Sequence, residues 1–353
     1  MAKETKCGGA LPTRRQSRDN RPVQLPTHKR LMIFSGTANR PLAEEVADHL
    51  GMKLGDVELS EFANSETYVR FSESVRGCDA FVIQSHAAPI DHHVMQQLIM
   101  IDALKRASAK RITAVAPFYP YARQDRKARG REPITAKLLA DFYQAAGADR
   151  LLSVDLHTGQ IQGFFDVPVD HLTALPMLAE YFSSVLEDER FAVVSPDAGG
   201  VRLADKWREH LAQFHHLNGQ VAFLHKRRIR ESRNKSESVG PVVGEVQGRV
   251  CVIVDDMIDT AGSLCDAVET LLKAGASEVH AAATHAVLSD PAVDRLKNSP
   301  LQELVVTNTL PIPSEKQLDK LVILSIAPTI AHTIKAVFEE DSVSELFHGE
   351  NQP

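Results

Sequence analysis

Asp255 and Asp256 stand side by side in the stretch RVCVIVDDMIDTAGS, residues 249–263, and a turn containing Thr260, Ala261, Gly262 and Ser263 follows at once. Val250 to Val254 is a mostly β-branched run of the kind found in strands buried on both faces, and SLCDAVETLLKAGA beyond the turn has apolar residues at helical spacing. The acids therefore sit at the carboxyl end of a strand, the edge at which open α/β sheets bind ligands. Small residues let backbone N–H groups and the start of the next helix face an anion, which suits a phosphate. Two carboxylates beside a phosphate would repel it, unless they accept hydrogen bonds from sugar hydroxyls or help hold a divalent cation. A phosphorylated sugar meets both conditions. The plainer reading is an acidic helix cap in which Asp259 and Thr260 only close the turn.

Three further constellations ask for the same kind of ligand. PFYPYARQDRKARGREPITAK packs Arg123, Arg126, Lys127, Arg129 and Arg131 into one connection, with Tyr119 and Tyr121 just upstream. That density suits a polyphosphate, and a solvated basic loop is its bland alternative. In SVDLHTGQIQGFFD, Asp155 and His157 occupy alternate positions at a strand end, so the period of two directs both to one edge. VVSPDAGG places Asp197 before two glycines, a second acid beside another anion-binding turn. A metal together with a phosphate is implied.

The elements that must position these groups alternate from Arg30 onward. RLMIFSG, DAFVIQS, RITAVAPF and RLLSVDLH read as strands, and PLAEEVADHLG, DHHVMQQLIMIDALKRAS and ITAKLLADFYQAAGA as the helices between them. A second series follows, with helices ALPMLAEYFSSVLE and GGVRLADKWREHLA, strands FAVVSPD and QVAFLHKR, the acid-bearing strand, then EVHAAATHAVL, LQELVVTNTL and LVILSIA. This is α/β winding with mainly parallel sheet. A hairpin is expected between Val57 and Phe71. The segment Arg227 to Gly240, RRIRESRNKSESVG, lacks an apolar period and reads as a mobile loop.

A chain of 353 residues exceeds the usual size of one core, so two domains are expected, and 43% hydrophobic content is enough for both. A formal net charge of −6 gives no global reason to bind nucleic acid or an anionic membrane, and neither is expected as a partner. Cys7, Cys78, Cys251 and Cys265 show neither CxxC spacing nor disulfide density, which fits a reducing compartment. No apolar run approaches the roughly 18 to 20 residues that span a bilayer, and the N-terminus lacks a secretory apolar core. The expectation is a soluble, cytoplasmic protein. Residues 1–29, polar and rich in Arg and Pro, read as a disordered tail, with a transit peptide as the weaker alternative.

Taken together, FSGTANRPLA, FANSETYVRFSESVRG, APFYPYARQDRKARGREPITAK, DLHTGQIQGFFD, VSPDAGG, HKRR and VDDMIDTAGS resemble, in order and spacing, the ribose-phosphate pyrophosphokinase (phosphoribosyl pyrophosphate synthetase) family over residues 30–348. The resemblance implies an α/β fold of two successive phosphoribosyltransferase-like domains, each a mainly parallel sheet flanked by helices. The first, on the ATP side, would span 30–173 and be completed by 341–348; the second, on the ribose 5-phosphate side, would span 174–340. The implied activity moves the β,γ-pyrophosphoryl group of Mg-ATP to the C1 hydroxyl of ribose 5-phosphate, giving phosphoribosyl pyrophosphate (PRPP) and AMP.

By the same resemblance, Asp255 and Asp256 bind ribose hydroxyls while Asp259, Thr260, Ala261, Gly262 and Ser263 cradle the 5-phosphate. Phe62, Asn64 and Glu66 match the loop that reaches the adenine of ATP bound by a neighbouring subunit, and Arg123 and Gln124 match the ATP-binding segment. His157 and Asp197 match magnesium-linked positions, and Lys226 and Arg228 the catalytic pair, with Mg2+ as cofactor. A homo-oligomer, in the family a hexamer, is implied, as are phosphate and ADP as effectors acting through Ser74, Arg76, Arg131 and Gln162. The chain departs from the family pattern at Ser65, often Gln, which bears on a contact to the adenine base, and at Gly130, often Ser, which puts the effector contacts in doubt. The tail and FHHLNGQ have no clear family counterpart. Competing readings are a catalytically silent associated subunit and a phosphoribosyltransferase that consumes PRPP.

Overall fold

A computed structural model describes residues 29–227 and 238–347; all but the last residue of the expected tail and most of the charged loop lie outside the described residues. The first lobe holds β1 (Leu31–Ser35), the hairpin β2 (Val57–Glu61) and β3 (Thr67–Phe71), then β4 (Asp79–Ile83), β5 (Arg111–Ala116), β6 (Arg150–Val154) and β7 (Val169–Leu172). Its five-stranded sheet has the order β1-β4-β5-β6-β7 and is parallel throughout. Between the strands run α1 (Arg40–His49), α2 (Ile90–Arg106) and α3 (Thr135–Ala146). All five residues of β4 are buried, Asp79 paired with Arg111 and Ala80 to Ile83 as an apolar run in a strand covered on both faces. Pro41 opens α1, where the missing N–H costs nothing, and Gly147 closes α3 at φ 113°, a conformation that favours glycine. The expected hairpin is present, with Val57 opposite Phe71 and Glu61 opposite Thr67.

The second lobe comprises α4 (Leu175–Ser183), β8 (Phe191–Ser195), α5 (Val201–His215), β9 (Gln220–Arg227), β10 (Ser238–Val243), β11 (Val250–Ile258), α6 (Gly262–Lys273), β12 (Glu278–Ala286), α7 (Ala292–Asn298), β13 (Leu304–Thr307), β14 (Leu321–Leu324) and α8 (Ala327–Glu339). Its seven-stranded sheet runs β10-β9-β8-β11-β12-β13-β14, parallel except for β10 against β9.

Four elements escape the sequence pattern. Ser238 to Gly240 belong to β10, not to the expected loop, and pair from Ser238↔Arg227 with an irregularity between Val239 and Val242. An edge strand needs only one partner, so it tolerates the Gly240 and Pro241 that argue against a central strand. β7 and α7 are too short to show a period. α8 follows LVILSIA with no polar break, so its apolar run merges with the preceding strand.

One apolar layer joins the lobes. Ile33, Phe81 and Ile83 of the first sheet, Val193, Val252 and Val254 of the second, Phe182 of α4 and Ile330 and Ile334 of α8 share a single buried cluster, and Phe347 packs into it. Separate clusters fill the outer faces of the two sheets. The carboxyl ends of both sheets are thereby held in fixed relation to each other.

Candidate active site

The acid pair lies inside β11, which runs to Ile258 instead of stopping near Val254. Pairing with the long β12 carries the ladder past the aspartates, as far as Ile258↔Ala286. Asp255 Oδ1 accepts the backbone N–H of Asp256 at 2.9 Å. Asp256 Oδ2 lies 2.8 Å from His157 Nδ1, so the site spans the lobes. Burial and the neighbouring Asp256 charge hold the Asp255 carboxyl well above the usual carboxylate range. Burial also acts to raise Asp256, but the His157 hydrogen bond and charge outweigh it and leave Asp256 low. The same bond raises His157 against the opposing pull of burial. Of the two carboxyls Asp255 therefore resists ionisation more, while the contact between Asp256 and His157 favours the charged form of each.

After β11 the chain turns through Asp259 and Thr260 into Ala261, at φ 55° and ψ 8°, and α6 starts at Gly262. No side chain caps that helix start, so its first N–H groups face the turn. Arg123 Nη2, from the basic connection of the first lobe, reaches Asp259 Oδ2 at 2.8 Å. Burial acts to raise Asp259, but Ser289 and Arg123 together hold it low.

At the end of β6 the expected parity fails. Asp155 has φ 36°, which breaks the alternation of side chains, so Asp155 and His157 do not act on the same edge. The Asp155 carboxylate instead accepts the N–H of Ala174 at 2.9 Å and the hydroxyl of Thr284 at 2.6 Å. His285 lies beside this seam, Nε2 at 3.1 Å from both the Val154 and Asp155 carbonyls and Nδ1 at 2.9 Å from the Thr309 hydroxyl. Burial depresses its pKa, which favours the neutral ring, and the two carbonyls facing Nε2 make that nitrogen the one placed to donate. Only His157 is left to meet Asp256.

Asp197 also departs from expectation. Its Oδ1 accepts the N–H groups of Gly199 at 2.8 Å and Gly200 at 3.3 Å, so the carboxylate itself fills the turn that the sequence offered to an anion. Asp197 acts electrostatically on Asp255. Among the described residues no group of three or more His, Cys, Asp or Glu side chains forms a metal cage. Lys226 sits near the end of β9, opposite Val239, and β9 runs parallel to β8, so it approaches the same carboxyl edge as Asp197. Arg228 lies outside the described residues.

In the basic connection, Gln124 Oε1 accepts the Thr135 hydroxyl at 2.6 Å, and Tyr119 is buried with its hydroxyl on the Ala136 carbonyl. Buried Asp125 accepts Thr158 at 2.8 Å and also Gln160, tying this segment to the His157 loop. Sequence reasoning passed over Asp125 because one acid among five basic residues carries no periodic signal. It also passed over Arg295, on the short α7, which bonds the Thr260 carbonyl.

Phe62, Asn64 and Glu66 come together at the hairpin tip. Phe62 N donates to Glu66 O at 2.9 Å, Glu66 N to Asn64 Oδ1 at 3.2 Å, and Phe62 is 56% exposed. Among the described residues no hydrogen bond or ion pair joins this tip to the His157 and Asp256 group. Ser74, Arg76, Arg131 and Gln162 are likewise not bonded to one another; the Ser74 carbonyl accepts Arg30, and Gln162 donates to Gly159 O at 3.4 Å.

A family model for the N-terminal domain of ribose phosphate pyrophosphokinase matches residues 31–147, and one described as a phosphoribosyl synthetase-associated domain matches 215–348. The ribose-phosphate pyrophosphokinase of Streptomyces coelicolor is 57% identical over 325 residues, covering 92% of this chain and 98% of that protein. The chain belongs to the ribose-phosphate pyrophosphokinase family. The enzyme of that name from Mycobacterium leprae is 56% identical over 322 residues, 91% of this chain and 97% of its own length. The crystal structure of phosphoribosylpyrophosphate synthetase from Mycobacterium smegmatis superposes with a TM-score of 0.81 at 53% identity, covering 88% of this chain and all of that one. The fold of this family is therefore that of the chain.

Proposed function

We propose that the protein transfers the β,γ-pyrophosphoryl group of Mg-ATP to the C1 hydroxyl of ribose 5-phosphate, giving PRPP and AMP. The observation that carries this reading is the 2.8 Å contact of Arg123 with Asp259, which joins the basic connection of one lobe to the small-residue turn of the other. A nucleotide on the first and a sugar phosphate on the second would meet there. Asp255 and Asp256 hold ribose hydroxyls, and Asp259, Thr260, Ala261, Gly262 and Ser263 take the 5-phosphate. Arg123 and Gln124 take ATP, together with Phe62, Asn64 and Glu66 of a neighbouring subunit. In the transfer the C1 oxygen bonds to the β-phosphorus, the bond from that phosphorus to the α-phosphate oxygen breaks with its electron pair left on AMP, and the hydroxyl proton passes to solvent.

Such a transfer depends on in-line placement and on positive charge at the transferring oxygens, which Lys226 and Arg228 supply. Mg2+, bound with ATP, adds to that charge when present. His157 and Asp197 would be the protein groups that help hold it, the rest of its shell coming from phosphates and water. Because its pKa is raised, a proton competes with any metal for the His157 ring.

The division into an ATP-side unit, 30–173 with 341–348, and a ribose 5-phosphate-side unit, 174–340, belongs to this reading. So does a homo-oligomer, a hexamer in its full form, for which the exposed apolar side chains Met95, Leu138 and Phe142 of α2 and α3 offer a surface. Phosphate and ADP act as effectors through Ser74, Arg76, Arg131 and Gln162, and Gly130 weakens the ADP response. Among the described residues no helix is long and apolar enough to cross a membrane, and a cytoplasmic location accords with that. A catalytically silent role has no observation in its favour, since His157, the acids and the turn are present and bonded. Incubation with Mg-ATP and ribose 5-phosphate tests the reading: AMP and PRPP in equal amounts support it, and ADP as the nucleotide product overturns it.

A further inference from the structure

The small-residue turn is braced from outside by a side chain that none of the motifs contains. Arg295, on α7, donates from Nη1 to the carbonyl of Thr260 at 2.9 Å. The same nitrogen lies 3.0 Å from the place a Cβ on Gly262 would occupy, so the guanidinium rests against the wall of the turn. A turn that binds an anion must aim its N–H groups inward, and the carbonyls of the same peptides then face out. Fixing the Thr260 carbonyl fixes the plane of the Thr260–Ala261 peptide and hence the direction of the Ala261 N–H. The brace matters because Ala261 holds φ 55°, a left-handed conformation that a residue with a side chain avoids. On the helical side, the Ala261 carbonyl is held by Cys265 N at 3.0 Å.

We propose that Arg295 is a positioning residue for the 5-phosphate: it presets the turn's N–H groups for a phosphate monoester and places a positive charge behind them. The inference rests on reading this turn as the sugar-phosphate site. Its effect falls on ground-state binding of one substrate, because the brace touches neither the acids nor the basic connection.

The test is steady-state kinetics of Arg295→Met and Arg295→Lys, with each substrate varied while the other is saturating. For Arg295→Met, the ribose 5-phosphate KM rises by about 10- to 50-fold, kcat stays within about threefold and the ATP KM within about twofold, as expected for loss of a charge-assisted bond that acts before the chemistry. Arg295→Lys keeps a charge and a donor but not the planar fork, and falls between, at about 3- to 10-fold. An unchanged ribose 5-phosphate KM in an active Arg295→Met protein overturns the inference. So does a KM rise shared equally by ATP, or a fall in kcat alone, as a merely structural contact would give. If Arg295→Met does not fold, Arg295→Lys decides, and a KM within about twofold of the parent overturns the proposal. Wild-type protein that makes no AMP from ribose 5-phosphate overturns the functional reading itself, a result distinct from any of these.

Discussion

His157 and Asp256 come from different lobes and set each other's protonation. The histidine gains a partner on folding, so while Asp256 stays ionised its contribution to stability is complete below its ordinary value of 6.5 and is lost as pH rises through the raised one. Asp256→Asn removes the largest cause of that shift. In metal-free protein, the His157 ring proton followed by NMR should then titrate at lower pH than in the parent; an unchanged or higher midpoint would show that Asp256 is not its controlling partner. The same residue separates binding from chemistry. Asp256→Ala should raise the ribose 5-phosphate KM by at least about 10-fold, because a carboxylate bond to sugar hydroxyls exists already in the ground state. Lys226→Ala should instead lower kcat on the order of 10³-fold with little change in that KM. Near-normal kcat in Lys226→Ala would move the catalytic role to the basic connection around Arg123.

Strand ends, more than strands, decide what these residues do. The acids, the turn and His157 were legible because an apolar strand followed by polar residues marks a sheet's carboxyl edge. What failed was parity: a positive φ at Asp155 turned that carboxylate into the seam between β6 and β12, which no spacing of two can foretell. Asp197 was likewise legible as an acid near the site but not as the occupant of its own turn, since Asx-type bonding depends on the backbone path. The seam gives a stability prediction. Thr284→Val removes the 2.6 Å donor to Asp155 while keeping shape, and should destabilise by about 1.5 to 3 kcal/mol in urea unfolding. A change below about 0.5 kcal/mol would mean that the seam does not hold β6 to the second lobe.

At the scale of the molecule, the repeated α/β winding was readable from hydrophobic period, whereas the joining of the lobes was not. The shared core draws on Ile33, Val252 and Ile334, far apart in sequence, and α8 gave no separate signal. Among the described residues the hairpin tip with Phe62, Asn64 and Glu66 has no hydrogen bond or ion pair to the acid pair, which suits its proposed service to the ATP of a second subunit. Leu138→Glu and Phe142→Glu should each reduce particle mass by light scattering and reduce activity in parallel, because both side chains are exposed and apolar. A variant that becomes smaller yet stays fully active would contradict an active site shared between subunits.

In the proposed reaction two phosphates leave ATP together and arrive on a sugar. ATP labelled at the β-phosphorus tests it most directly: after reaction with ribose 5-phosphate and Mg2+, the label should appear in the sugar product, bonded through the C1 oxygen, and AMP should be unlabelled. Label retained in ADP would show transfer of the terminal phosphate alone and would exclude pyrophosphoryl transfer.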